Sequence, residues 1–229
     1  MMLKQLMTVF CAALLSLGAV GADNTETLPP LEDYTLFQLG FLPGVPSSTY
    51  NSNVFGIKTG QPISTGIGRV YGFEASWLIS GTAHIKGIQA CWVYCQNEDF
   101  DGIQANFLCN RNTGGFNGIQ ATLGVNVSGG LGQGLQASAL NVSGDMVGLQ
   151  PAATVNVSGD ITGIQAAVLV NVSRKLTGFQ TGLYNQATES KGFQLGLINL
   201  AEGTGAQFGL INYIKDGAIP FMPFFNLSL

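Results

Sequence analysis

One short pattern recurs along the chain and limits what it can fold into. A triplet of Gly, an apolar residue and Gln (Glu once) begins at Gly72, Gly87, Gly102, Gly118, Gly134, Gly148, Gly163, Gly178 and Gly192. A degenerate copy begins at Gly205, and the steps between copies run from 13 to 16 residues. The glutamines are Gln89, Gln104, Gln120, Gln136, Gln150, Gln165, Gln180, Gln194 and Gln207. Five or six residues after most of them comes Asn: Asn110, Asn126, Asn141, Asn156, Asn171, Asn185, Asn199 and Asn212. A fixed period of this length marks a repeat architecture, with each unit one small structural element.

The letters within a unit are those of β-strands. Residues 163–173, GIQAAVLVNVS, are rich in Val and Ile and lack the charge pairs that support helices. Between units lie Ser143-Gly144-Asp145, Ser158-Gly159-Asp160 and Glu202-Gly203-Thr204. Gly there tolerates positive φ, and Ser or Asp bonds the local backbone. Composition agrees: 46% of residues are hydrophobic and only 10% charged. That excludes a disordered chain and a bundle of amphipathic helices with charged outer faces. With 9 Lys and Arg together, no basic nucleic-acid surface is expected.

A repeat of about 15 residues can be built in two ways. In a β-solenoid each unit is one coil, and equivalent residues stack about 4.8 Å apart. Gln then meets Gln and Asn meets Asn in amide ladders. In an antiparallel barrel, alternate strands would end in different environments, giving a natural period of two units. No such alternation is visible, so the sequence predicts a solenoid. The alternative is an antiparallel outer-membrane barrel of about 12 strands, as a pore or anchor. Within the solenoid, Ile161 and Ile164 have opposite parity along a straight strand. A corner at Thr162-Gly163 is expected to turn both inward, with Gly accepting the unusual backbone.

Gln180-x-Gly182-x-x-Asn185-x-Ala187 and Gln194-x-Gly196-x-x-Asn199-x-Ala201 resemble the core motif of curlin repeats, secreted bacterial β-solenoids that form surface amyloid. Closer in length and wording are the GxQxGxxN surface-repeat proteins of bacterial envelopes, leptospiral in type. That resemblance covers about 145 residues. It implies an envelope or surface location and no activity. The terminal alternation of Phe221, Pro223, Phe225, Leu227 and Leu229 is similar to the last strand of outer-membrane barrels.

The rest of the chain divides around the repeat. Lys4, the apolar run Leu6–Val20 and Val20-Gly21-Ala22 predict a signal peptide over 1–22. Residues 23–68 read as a leader and cap, with strands at Tyr34–Phe41 and Asn53–Lys58. Ten units then fill 69–214, and 215–229 read as a capping strand. Expected partners are the outer membrane or cell surface, and further copies through the solenoid ends.

Candidate chemistry is sparse. His84 is the only histidine, so a catalytic triad or multi-histidine metal site is excluded. It reads as a turn residue. Glu98, Asp99 and Asp101 form an acidic cluster that could take calcium, although a solvated turn explains it more simply. Asp145 and Asp160 should stack, with Lys175 next in line to pair with Asp160. Cys91, Cys95 and Cys109 read as buried hydrophobes or as one disulfide plus a free thiol. Cys95 and Cys109, 14 residues apart, are the expected pair. The sequons at Asn126, Asn141, Asn156 and Asn171 fall on the ladder position, which already explains them. Gly129–Gly134 is no phosphate loop, because no Lys-Ser/Thr follows. No cofactor, metal or enzymatic activity is expected.

Overall fold

In a computed structural model, residues 33–43 and 45–228 are described. The signal-peptide expectation over 1–22 lies outside them. The described chain is a β-solenoid: one continuous sheet of 15 strands with a single 3-10 turn, Ser47–Thr49. Strand pairings are parallel from Tyr34–Gly40 to Ile198–Ile214. A barrel, which needs antiparallel neighbours, is thereby set aside.

Register follows the repeat. Gly72 pairs with Gly87, Gly87 with Gly102, and Gly102 with Gly118. Asn156 pairs with Asn171 and Asn171 with Asn185. Gly is required at the triplet's first position for two reasons. Gly163 has φ +137°, which side-chain-bearing residues resist, and a Cβ there would lie 2.1 Å from the Gly148 carbonyl oxygen. Coils can approach to strand-pairing distance at this point only if that carbon is missing.

Each coil has two strand faces. At one edge the chain bends, as at residues 168–169, between the strands Met146–Ala167 and Val170–Thr181. Side chains alternate through the Gly position without rotating. Ile161 is 1% exposed and Ile164 is 43% exposed. The expectation that a corner would bring both inward is therefore wrong. The strand Met146–Ala167 continues through Thr162-Gly163, and period-two alternation of burial sends Ile164 out.

Four inward columns fill most of the interior, and a fifth, with Ser76, Cys91, Thr122, Ala152 and Ala167, lines it beside the bends. One is apolar: Val54, Val70, Ile85, Phe100, Phe116, Met146, Ile161 and Leu176. Its gap at Gly132 is filled by neighbours, since a Cβ there would meet the Phe116 ring at 2.3 Å and the Met146 sulfur at 2.9 Å. The second column holds the glutamines and the third the asparagines. The fourth runs Asn97, Asn112, Ser128, Ser143, Ser158, Ser173, Ala187 and Ala201. This interior is mostly polar, which a stack permits when its amides find partners, as most do here; the Asn112 side chain does not.

The leader-and-cap reading of 23–68 needs revision. Its two expected strands form, as Tyr34–Gly40 and Asn53–Gly60, but they are further coils of the same stack. Gly56 pairs with Gly72, Lys58 with Glu74, and Gln38 with Lys58. The glutamine column thus has twelve positions, beginning Gln38, Lys58, Glu74 and ending at Gln207. Phe221–Ser228 then runs antiparallel to Gly205–Tyr213 and closes that end.

Candidate functional site

The glutamine column is a continuous hydrogen-bonded wire. Each Nε2 donates to the Oε1 of the coil before: Gln207 to Gln194, on through Gln180, Gln165, Gln150, Gln136, Gln120 and Gln104 to Gln89. Gln89 then donates to Glu74 Oε2 at 2.7 Å. The second N–H of several glutamines crosses the core, to Asn97 from Gln104, to Ser143 from Gln150 and to Ser158 from Gln165. The fourth column thereby serves the second.

The asparagine column runs the other way. Nδ2 of Asn110, Asn126, Asn141, Asn156, Asn171, Asn185 and Asn199 each donates to the Oδ1 of the next coil, ending at Asn212, over 2.8–3.0 Å. The remaining N–H of each reaches a backbone carbonyl, such as Ala166 from Asn156 and Leu195 from Asn185. Opposed donor directions mean the two rows of amide dipoles largely cancel along the stack. Each row still has a free acceptor end. Gln207 Oε1 and Asn110 Oδ1 are buried without a hydrogen bond, at opposite ends. All the glutamines and asparagines read from the sequence as ladder residues take part in these rows.

The donor end of the glutamine row is capped by charge. Glu74 is fully buried and accepts from Gln89, from Ser64 Oγ at 2.8 Å and from Thr82 Oγ1 at 2.7 Å. Lys58, also buried, donates to the same Thr82 hydroxyl at 2.8 Å and to the Thr65 carbonyl at 3.1 Å. Burial pulls the Lys58 ammonium below its ordinary value of 10.5, and the Glu74 charge opposes that shift. Sequence reasoning missed this cluster. The signal was present: Gly56-Ile57-Lys58 is one repeat step before Gly72-Phe73-Glu74, with Lys in the Gln place.

The cysteines pair differently from expectation. Cys91 and Cys95 are joined, with Cα atoms 6.1 Å apart, and Cys109 is free. Cys109 stands opposite Tyr94, one residue out of register with Cys95. In a strand that single residue reverses the face, so Cys95 points in and Cys109 out. Burial nonetheless raises the Cys109 thiol above its ordinary value, against the opposing charge of Arg111.

Charged side chains gather at the edge leading into each Gly. His84 sits within the strand Ile79–Cys91, not in a turn, 3.8 Å from Glu98 and 3.5 Å from Asp99. Lys86 pairs with Asp101 at 3.4 Å. The acidic cluster is thus drawn to bases of the preceding coil. Among the described residues no group of three or more His, Cys, Asp or Glu side chains has the geometry to hold a metal ion. Asp160 and Lys175 are register partners as expected, yet Asp160 bonds Arg174 at 2.7 Å and Lys175 turns to Glu189 at 3.9 Å. Arg174 also reaches Asp145 at 3.5 Å, bridging two coils.

A groove of about 770 Å³ lies at the opposite edge among Thr59, Gln61, Ser76, Trp77, Cys91 and Trp92. No ionisable side chain lines it, apart from the disulfide-bonded Cys91.

No protein-family model matches the chain, nor does any curated protein or solved structure. Fold and interior together define the class by geometry alone. This is a parallel, in-register β-solenoid repeat protein whose core is wired by two amide ladders of opposite polarity.

Proposed function

We propose that the protein is a non-enzymatic structural element of a bacterial cell envelope, exported and displayed at the cell surface or outer membrane. One observation carries this reading. The buried glutamine and asparagine columns are engaged in coil-to-coil pairing, while large apolar side chains stand outward on coil after coil. Such a rod supplies length, rigidity and adhesive flanks rather than a reaction centre. The resemblance to GxQxGxxN and curlin repeats supports the same location. The groove beside Trp77 and Trp92 holds no acid or base, and His84, Lys86, Asp99 and Asp101 of a second groove are paired with one another from coil to coil.

The final strand, antiparallel to its neighbour, speaks for association through the sides of the rod rather than through that end. An epitope placed in the turn at Asp216-Gly217 tests the location. Antibody labelling of intact cells, lost after external protease, is the expected outcome. Recovery of the intact protein from the cytosol contradicts it. A catalytic reading would return if Ala at His84 or Asp99 abolished an activity of the purified protein.

A further inference from the structure

The coil edge opposite the charges forms an apolar ridge. At each bend the outward residues are Trp77-Leu78, Trp92-Val93, Phe107-Leu108, Leu123, Val168-Leu169, Leu183, Leu197 and Leu210-Ile211. The exceptions are the bends at 61–62 (Gln-Pro), 138–139 (Ser-Ala) and 153–154 (Ala-Thr). Trp77 is 71% and Trp92 64% exposed, and these are the chain's two tryptophans. We propose that this ridge is a membrane-docking edge that rests in the interfacial and outer hydrocarbon layer of a lipid bilayer. It deepens the envelope reading by naming the partner.

Three observations select lipid as the occupant. The first is charge: no bend residue is ionisable. The ion pairs Lys86–Asp101, Arg174–Asp160 and Lys215–Glu202, and the His84–Asp99 contact, all lie toward the far edge, facing water when the ridge is immersed. Arg111 is the exception, on a flat face beside Tyr94. Its guanidinium packs against Tyr94, with Nε and Nη1 buried rather than displayed on the ridge.

The second is the backbone. Irregular chain is excluded from hydrocarbon because its polar groups lack partners. Here the bends bond from coil to coil. The N–H of Trp77 reaches the Gly60 carbonyl, Val93 reaches Leu78, Phe107 reaches Trp92, Leu183 reaches Val168, and Ile211 reaches Leu197, at 3.0–3.3 Å.

The third is shape. The edge is one or two residues wide at each bend and is indented by the groove beside Trp77 and Trp92, so a second rigid rod would cover little of it. A fluid acyl layer closes around a ridge of any profile. Tryptophan at its rim suits the boundary between headgroup and hydrocarbon.

The experiment uses phosphatidylcholine vesicles and the protein as exported by its host. Flotation with the vesicles and a blue shift of tryptophan emission are expected, with quenching by brominated acyl chains. Leu123→Asp with Leu183→Asp should weaken binding at least tenfold, with the circular dichroism spectrum unchanged. Asp160→Asn, on the far edge, should bind as the parent does.

Protein left at the bottom of the gradient with unshifted emission overturns the proposal. So does binding that survives both Asp substitutions, because the apolar segment 6–20 would then account for it. A blue shift without vesicles, with a sedimenting dimer, would assign the ridge to a second copy. If the folded Asp variant melts early, brominated-lipid quenching of the parent decides alone: quenched tryptophans sustain the proposal and unquenched ones end it. Failure here leaves the surface-labelling result untouched, so the two readings fail separately.

Discussion

The coils from Gly118 to Asn212 and those from Tyr34 to Cys95 share a backbone and differ in what they put inside. In the later coils the inward columns are nearly invariant: Gln, Asn, then Ser or Ala. In the earlier ones the Gln column becomes Gln38, Lys58, Glu74, and the Asn column becomes Ser64, Ser80, Cys95. Register nevertheless continues across the boundary. Backbone pairing and the Gly column therefore set the stack, and a buried column tolerates any residues that complete one another's hydrogen bonds. Glu74 can only accept, so it ends the wire, and the buried Lys58 answers its charge.

This contrast is sharpest when the shared part is attacked. Gly163→Val in the later coils and Gly72→Val in the earlier ones should be the most damaging changes. Each places a Cβ within 2.3 Å of a carbonyl oxygen at a φ above +130°. A loss of about 4 kcal/mol or more is expected in each, read by denaturant unfolding. Unequal losses would mean the two regions do not share one backbone rule.

Next comes the part that differs. Glu74→Gln should cost about 3–5 kcal/mol, because Lys58 loses its countercharge while remaining buried. Adding Lys58→Met should restore most of it, since the column then reads apolar–Gln–Gln. A double variant no more stable than Glu74→Gln would show that the pair is not the reason the early coils deviate.

The same lysine gives a pH dependence. Its folded value lies below 10.5, so between the two values the unfolded chain holds the proton more tightly. Stability should rise as pH climbs through that window. In Lys58→Met the rise should vanish.

Smaller effects follow. Opening Cys91–Cys95 with reductant should cost about 2 kcal/mol, the loop being short. Free Cys109 should alkylate slowly in the folded protein at pH 8 and at the ordinary rate in denaturant, because burial raises its thiol. Arg174→Ala removes exposed ion pairs only, and its melting curve should overlay the parent's.

Much of the architecture could be read directly from the letters. Identical Gln, Asn and Gly at one spacing mean that like residues touch, which fixes parallel direction and register together. Parity was harder to read. Ile161 and Ile164 are both apolar, and nothing in their identity says that one faces solvent. The same one-residue issue separates Cys95 from Cys109. The first coils stayed hidden because Lys58 and Gln38 occupy the ladder position under unlike neighbours. Opposite donor directions in the two ladders also leave no trace in sequence, since an amide reads the same either way round. They emerge only from which backbone carbonyls lie within reach of each Nδ2.

Parallel stacking is measured most directly by distances along one outward column. Asp101, Val147, Thr162, Thr177 and Thr204 occupy the position before the triplet Gly on successive or near-successive coils. Spin labels placed pairwise there, in a Cys109→Ser background, can be ranged by electron double resonance. Taking about 4.8 Å per coil, Asp101 should lie roughly 14, 19, 24 and 34 Å from the other four, rising in proportion to the number of coils crossed. Distances that zigzag, short and long by turns as alternate strands reverse, would contradict the solenoid.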